Sequence, residues 1–175
     1  MGYTHYWRKR GDISVDAWSE ICKGVAEVLG ANLATTRTIA GGMGDAGSAP
    51  ICNHSEITFN GIGENSHETF YLTRHTNAED KDGKGWSFDF CKTAHKPYDT
   101  VVCAALILLA QHTKISEVEI SSDGDWGDFQ RGMALLEHLG IKVSKRTVAK
   151  LQKALGGAEA EPVVAGISLR RQASW

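Results

Sequence analysis

A short basic segment in the middle of the chain has the composition of an anion-binding loop. Residues 92–98, KTAHKPY, separate a strand pattern from an apolar helix pattern. The N-terminus of a helix offers unpaired N–H groups and the positive end of the helix dipole, and both favour an anion. The side chains that could contact such an anion, or stack on its base, are Lys92, Thr93, His95, Lys96 and Tyr98. The segment therefore predicts a site for a small anionic, aromatic ligand.

The same segment can equally be a structural connection. Lys92 and Lys96 can be solvated, while Pro97 and Tyr98 position the start of the helix. Asp99 is expected to cap that helix, and its carboxylate would then occupy amides that an anion needs. Both interpretations stay open on the sequence alone.

Aromatic and charged residues elsewhere in the chain could complete the site. The N-terminal segment MGYTHYWRKR combines aromatic rings with positive charge, and Trp126 lies in the Gly-Asp-rich segment SSDGDWGD. A Trp in such a loop can serve as a platform for a base or a sugar. The carboxylates around it fail the EF-hand pattern and are equally explained by helix capping. The predicted ligand contacts outside the loop are Tyr6, Trp7, Arg74, Asp123 and Trp126.

The sequence carries no recognisable metal-binding or cofactor motif. Its 7 His and 4 Cys are scattered, so a metal site would need ligands brought together from distant parts of the chain. Residues 42–47 match G-x-G-x-x-G literally, but Pro50 and a strand pattern follow where a dinucleotide site needs a helix. We therefore predict no cofactor and no metal, and interpret residues 42–47 as a flexible loop.

The periodicity of apolar residues places a strand before the basic segment and a helix after it. Residues 86–91, WSFDFC, alternate in the manner of a half-buried strand. Residues 101–110 are apolar without interruption, so this helix should be buried on most sides. Further strand patterns lie at 35–40, 51–60, 69–74 and 117–121, and further helix patterns lie at 15–29, after Asp125 and after Ser144.

This order of elements predicts an α+β fold. We expect a single domain over residues 1–156, a mainly antiparallel β-sheet packed by about four helices, with a linker and C-terminal tail over residues 157–175. The polar loop 75–85 should join strands 69–74 and 86–91 as an antiparallel hairpin. Residues 117–143 could instead form a βαβ unit with one parallel pair.

Composition limits the classes of function. The chain has 175 residues and a formal net charge of −2, which makes binding along nucleic acid unlikely because such proteins are usually basic. No secretion signal precedes the first patterns, and the apolar run in the central helix is too short for a bilayer. We expect a cytoplasmic protein without membrane contact, in which a homo-oligomer is possible.

Four short motifs resemble a family of small proteins, of uncharacterised activity, that bacteriophages and some bacteria encode. The motifs are MGYTHYW at residues 1–7, FNG at 59–61, ETF at 68–70 and FCKTAHKPYD at 90–99. The resemblance covers the N-terminus through the central helix and implies an accessory protein of viral type, working in the host cytoplasm. Some phage proteins of this size counter host defence by trapping nucleotide-derived immune signals, which is an analogy at the level of a class.

These observations lead to three functional hypotheses. The first is a non-enzymatic accessory protein that binds and sequesters a small nucleotide-derived ligand, for example a host immune signal. The second is a hydrolase or phosphodiesterase acting on such a ligand, with His95 as acid or base and one of Asp89, Asp99 or Asp123 as its partner or as a metal ligand. The third is an inhibitor that binds a host protein through the aromatic N-terminus or Trp175.

Overall fold

In the computed structural model, which describes residues 2–157, the chain forms seven β-strands and four α-helices. The strands are β1 (Thr4–Lys9), β2 (Ile39–Ala40), β3 (Ile51–Cys52), β4 (Glu56–Gly61), β5 (Phe70–Thr73), β6 (Ser87–Lys92) and β7 (Val118–Ser122). The helices are α1 (Val15–Ala34), α2 (Asp99–His112), α3 (Trp126–His138) and α4 (Lys145–Leu155). All pairs between these strands are antiparallel, which confirms the predicted α+β fold. None of the helices in this part of the chain is long and apolar enough to cross a membrane.

The first strand of the chain lies in the middle of a three-stranded sheet, between β6 and β7. In this register His5 lies opposite Cys91 on one side and opposite Ser122 on the other. The remaining strands form a second group, in which β4 pairs with β2, β3 and β5. The central position of β1 is what brings residues near position 5 beside residues near positions 91 and 122.

Helix α2 is the centre of the hydrophobic core. Residues 101–110 are each at most 2% exposed, because α1 and α3 flank the helix and it also packs on β7 and α4. Glycines allow the close approach of the flanking helices: a Cβ on Gly132 of α3 would lie 2.7 Å from the backbone nitrogen of Ala104. The uninterrupted apolar run therefore marks a helix enclosed on all sides, as the sequence predicts.

Two sequence expectations about strand pairing are wrong. Strands β5 and β6 do not form a hairpin; β5 pairs with β4, and β6 pairs with β1 along its whole length. The polar loop that connects β5 to β6 is long enough for the two strands to lie in different sheets. Strand β6 pairs with β1 instead. Residues 141–143 form no strand, so the alternative βαβ unit with a parallel pair is not present either.

Two helix boundaries differ from the sequence expectations, and a third agrees with them. Helix α1 continues past Gly30 to Ala34, since one glycine costs only about 1 kcal/mol in a helix whose neighbours favour it. Asp99 is the first residue of α2, and its side chain makes no cap. Asp125 caps α3 in a reciprocal capping box with Asp128, as expected. The segment 42–47 forms turns ahead of β3, with no helix following it.

Candidate functional site

Three aromatic rings that the sequence offers as stacking platforms lie inside the protein. Trp7 is 1% exposed, Tyr98 is 0% exposed and Trp126 is 3% exposed. Trp7 packs against Phe70 with ring centroids 5.2 Å apart, and the Tyr98 hydroxyl donates to the carbonyl oxygen of Glu68 at 2.7 Å. None of the three presents a face on which a base could stack, so their assignment as ligand contacts is corrected: these rings serve the core.

The basic loop is mainly a structural connection. The hydroxyl of Thr93 is buried and donates to Asp99, while the ammonium group of Lys96 donates to the carbonyl oxygen of Glu64 at 2.9 Å. The first amides of α2 bond to carbonyl oxygens of the loop, as in the 2.9 Å contact from Asp99 N to Lys96 O. Several donors of the predicted anion site at this helix N-terminus are therefore already paired, which weakens that prediction.

His95 is an exposed residue of the loop, as is Pro97, and it has a backbone φ of 57°. Its ring stacks on Tyr3 with centroids 3.7 Å apart and an interplanar angle of 25°. The side chain of Asp99 binds a different imidazole, that of His5. The acid–base pair expected between His95 and Asp99 is thus replaced by one between His5 and Asp99.

Among the remaining predicted contacts, Arg74 lies apart from the others. Its guanidinium lies against the ring of His75, with 2.6 Å between Nη2 and Nε2, and reaches the carbonyl oxygen of Ile13 at 3.4 Å. Tyr6 and Lys92 lie on neighbouring strands and point to the outer face of the three-stranded sheet, and Asp123 accepts a hydrogen bond from the Tyr6 hydroxyl at 3.1 Å. Of the ten predicted contacts, these three are the ones that the fold places on one surface.

That surface carries a row of aromatic rings, here called the aromatic face, in which two rings are half-buried and two are exposed: Tyr6, Trp86, Phe88 and Phe90. Phe88 is 57% exposed and Phe90 is 51% exposed. Tyr6 stacks on Phe88 with centroids 5.9 Å apart, and Phe88 lies 6.1 Å from Phe90. The alternation in β6 was correctly predicted, but Ser87 and Cys91 point inward and the phenylalanines point outward.

Cationic side chains border the aromatic face. The guanidinium groups of Arg8 and Arg10 lie 5.1 Å and 5.9 Å from the ring of Trp86, and Lys92 follows Phe90 at the other end. Arg8 also pairs with Asp82 at 3.0 Å and Glu119 at 3.3 Å, which fixes its position across the strands. The sequence signal for these residues was the triplet 8–10, RKR, which our ligand prediction left unused.

A pocket of about 490 Å³ opens beside Phe88, between β1, β5 and β6. Glu56 and Asp89 line it, and burial raises the pKa of Asp89 above its ordinary value. Lys9 also lines it, with an ammonium group that donates to Thr73 and to the carbonyl oxygen of His75. The carboxyl groups in this pocket can accept hydrogen bonds from the hydroxyls of a ligand.

A second group of polar side chains lies on the inner side of the sheet. We call it the His5 cluster, and it comprises His5, Thr93, Asp99, Cys103 and Ser122. Nε2 of His5 lies 2.8 Å from Oδ1 of Asp99, and Nδ1 of His5 lies 3.0 Å from the Ser122 hydroxyl. The Cys103 sulfur lies 3.7 Å from Nε2 of His5 and 3.8 Å from Oδ2 of Asp99. The imidazole of His5 thus lies where four segments meet: strand β1, helix α2, strand β7 and the basic loop.

The charges within the His5 cluster are set by burial and by hydrogen bonds. Burial raises the pKa of Asp99, but hydrogen bonds from His5 and Thr93 outweigh it and hold that pKa below its ordinary value. Burial and the negative charge of Asp99 raise the pKa of Cys103, which keeps its thiol protonated. The side chain of Asp99 is 16% exposed and that of His5 is 0% exposed, so Asp99 forms the outer edge of the cluster.

The His5 cluster resembles a Ser-His-Asp triad only in composition. In the triad the serine meets Nε2 of the histidine and the carboxylate meets Nδ1. Here the two nitrogens are exchanged, and the Ser122 hydroxyl also accepts the N–H of Gly124 at 3.0 Å. The cluster can hold a proton or a cation between His5 and Asp99, and it does not present an activated serine.

Comparison with known proteins assigns neither a family nor a function to the chain. No protein family, no characterised protein and no solved structure matches the chain. The function has to be inferred from the two sites themselves.

Proposed function

We propose that the protein is a non-enzymatic binder that sequesters a small nucleotide-derived ligand on its aromatic face. The observation that carries the proposal is the row of Tyr6, Phe88 and Phe90, with both phenylalanines more than half exposed and the rings already in mutual contact. Rings held on strands keep their orientation without a ligand, so less entropy is lost on binding. Stacking on one aromatic ring is worth about 1 to 3 kcal/mol per base.

The surroundings of the rings suit the other parts of a nucleotide. The pocket at the edge strand β6 offers a sugar the carboxyl groups of Glu56 and Asp89, which can accept hydrogen bonds from hydroxyl groups. A phosphate would meet Arg10, which is exposed, or Lys92 at the opposite end of the face. The ligand class is therefore a nucleoside joined to one or two phosphates, such as a cyclic nucleotide or an ADP-ribose derivative.

The biological setting of this proposal follows from the resemblance to phage proteins. A host immune signal derived from a nucleotide is the ligand that such an accessory protein would trap, and the host cytoplasm is where the two would meet. The resemblance supports this setting, and the aromatic face supports the ligand class.

The test is calorimetric titration of the folded protein with a panel of cyclic nucleotides and ADP-ribose derivatives. We expect one member to bind, and Phe88→Ala and Phe90→Ala each to weaken it by about tenfold or more, since each removes a stacking surface. Met43→Ala is the matched control, because Met43 is 85% exposed on the distant glycine-rich loop. Absence of binding across the panel, or equal effects of Phe88→Ala and Met43→Ala, would refute the proposal.

Two results of the same experiment would favour the alternative functions. One is chemical conversion of the bound nucleotide, detected by chromatography. If the variant His5→Gln abolishes this conversion, the protein is a hydrolase. Self-association or capture of one host protein, lost in Phe88→Ala, would show that the aromatic face is a protein interface.

A further inference from the structure

The His5 cluster contains three side chains that are common metal ligands and that lie within reach of one ion. They are His5 of β1 and, one helical turn apart on α2, Asp99 and Cys103. Each offers one donor atom, and the three atoms lie within 4.8 Å of one another. The sequence gives little sign of this set, because His5 is separated from Asp99 by 94 positions.

We propose that His5, Asp99 and Cys103 form a binding site for a transition-metal ion of the zinc class. Zinc takes nitrogen, oxygen and sulfur ligands in a tetrahedral arrangement, in which neighbouring donors lie about 3.4 to 3.6 Å apart. The separations here are 2.8 Å between nitrogen and oxygen, 3.7 Å between sulfur and nitrogen, and 3.8 Å between sulfur and oxygen. An ion therefore fits after shifts of about half an ångström or less per side chain.

The imidazole is held in the orientation that a metal requires. The rings of Tyr3 and Phe129 meet His5 edge-on at centroid distances of 5.0 Å and 5.2 Å. Ser122 faces Nδ1, and its own hydroxyl hydrogen can point to the carbonyl oxygen of Thr4 at 3.4 Å. Ser122 can then accept the Nδ1 proton, which leaves the Nε2 lone pair directed at the other two donors. Histidine ligands of metals almost always donate their second ring nitrogen in this way.

The other two donors are also positioned by the fold. Thr93 donates its hydroxyl to Oδ1 of Asp99 at 2.5 Å, which supports the carboxylate from the side of the loop. Cys103 lies where α3 approaches α2 most closely, since a Cβ on Gly132 would lie 2.8 Å from the Cβ of Cys103. Asp99 is the partly exposed member of the three, so an ion would enter beside it and keep a water in its fourth position.

Binding would change the bonding of the cluster in a defined way. The ion would replace the hydrogen bond between His5 and Asp99 with two coordinate bonds, and His5 would lose its Nε2 proton to solvent and carry its proton on Nδ1, where Ser122 accepts it. Cys103 would lose its thiol proton to solvent and bind as the thiolate, since only the thiolate is a ligand. The product is a centre with one nitrogen, one oxygen and one sulfur ligand from the protein.

Cobalt(II) titration of the full chain, purified without a histidine tag and stripped with a chelator, tests the site. We expect one equivalent to bind and to give the near-ultraviolet absorption of cobalt–thiolate charge transfer. Cys103→Ser should lose this band, and Cys91→Ser should keep it, because Cys91 is equally buried but lies outside the cluster. Ser122→Ala should keep the band and weaken Zn²⁺ binding by about tenfold to a hundredfold, as expected for a positioning residue.

Several results would overturn the proposal. One is a folded protein without the band, and another is loss of the band in Cys22→Ser or Cys52→Ser, which would place the metal on that more exposed pair. If Cys103→Ser fails to fold, X-ray absorption of the zinc-loaded wild type decides between the outcomes. One sulfur neighbour of the zinc ion supports the site, and the absence of a sulfur neighbour refutes it. Nucleotide binding at the aromatic face does not enter this test, so either proposal can fail alone.

Discussion

At the residue scale, the contact between His5 and Asp99 is the most consequential polar interaction in the described part of the chain. It joins the central strand to the first turn of the buried helix, and both partners are largely withdrawn from water. A buried carboxylate is tolerated only when its hydrogen bonds are satisfied. Thr93 and His5 satisfy Oδ1, so the cost of burial is offset by contacts from two separate segments.

We expect Asp99→Asn to destabilise the metal-free protein by about 2 to 3 kcal/mol at neutral pH, because hydrogen bonds to a charged group are lost. The effect should depend on pH. The pKa of Asp99 is lower in the folded state than its ordinary value of 3.8. Its stabilisation is therefore complete above the unfolded pKa and is lost as the pH falls through the folded pKa.

Urea unfolding between neutral pH and strongly acidic pH measures this effect. The difference in free energy of unfolding between wild type and Asp99→Asn should shrink in acid below about pH 4, where the unfolded carboxyl also becomes protonated. Asp45→Asn, which alters an exposed loop carboxylate, is the control and should show no such difference. A difference that stays constant into acid would mean that the charge of Asp99 does not stabilise the fold.

At the element scale, the sequence predicted which segments are helices and strands better than it predicted their partners. Uninterrupted apolar residues identified α2 as buried, and the cap residues Asp125 and Ser144 identified the starts of α3 and α4. Pairing depends on contacts between distant segments, and local periodicity carries no information about them. For the same reason the alternation in β6 could not show that Phe88 points outward: an outward-facing aromatic ring on a strand gives the same pattern as a buried one.

The site predictions failed for a related reason. A Trp, Tyr or Thr near a basic loop can belong to the core or to a ligand site, and the sequence does not distinguish the two. Trp7 and Tyr98 proved to be core residues, whereas Tyr6, one position away from Trp7, lies on the aromatic face. The His5 cluster was missed because its members are separated by up to 117 positions and are brought together only by sheet pairing and by the packing of α2 on the sheet.

The close packing of α2 and α3 leads to a prediction about two glycines. In Gly132→Ala the new Cβ would lie 2.7 Å from the backbone nitrogen of Ala104, so the helices must separate, at a cost of about 1 to 3 kcal/mol. Gly30→Ala in α1 is the matched control, since nothing lies within 4 Å of its Cβ position. The control should stabilise the protein by about 0.5 to 1 kcal/mol through helix propensity. Thermal unfolding of both variants would show the opposite signs, and equal signs would contradict this account of the helix contact.

At the scale of the whole molecule, both proposed sites depend on the position of β1. The outward side chains of this strand contribute Tyr6 and Arg8 to the aromatic face, and its inward side chain His5 organises the metal-ligand cluster. The strand pairs with residues 87–92 and with residues 118–122, so the sheet is complete only when both segments are in place. The two sites lie on opposite faces of one strand, and a ligand at one could affect the other through the position of that strand.

Helix α4, near the end of the described residues, gives the last prediction. Helix α4 buries Leu151 to 1% exposure beside β7, and Thr147 donates to the side chain of Gln111 in α2 at 2.6 Å. Its C-cap Gly156 accepts the N–H of Trp126, which ties the end of α4 to the start of α3. A chain that ends at Gly157 keeps all of these contacts and serves as the reference for a shorter chain. Truncation after Val143 should remove several kcal/mol, since burial of one leucine alone contributes about 1.5 to 3 kcal/mol and domains have only about 5 to 15 kcal/mol in total. Circular dichroism melting of both truncated chains checks this, and equal unfolding temperatures would contradict the stabilising role of α4.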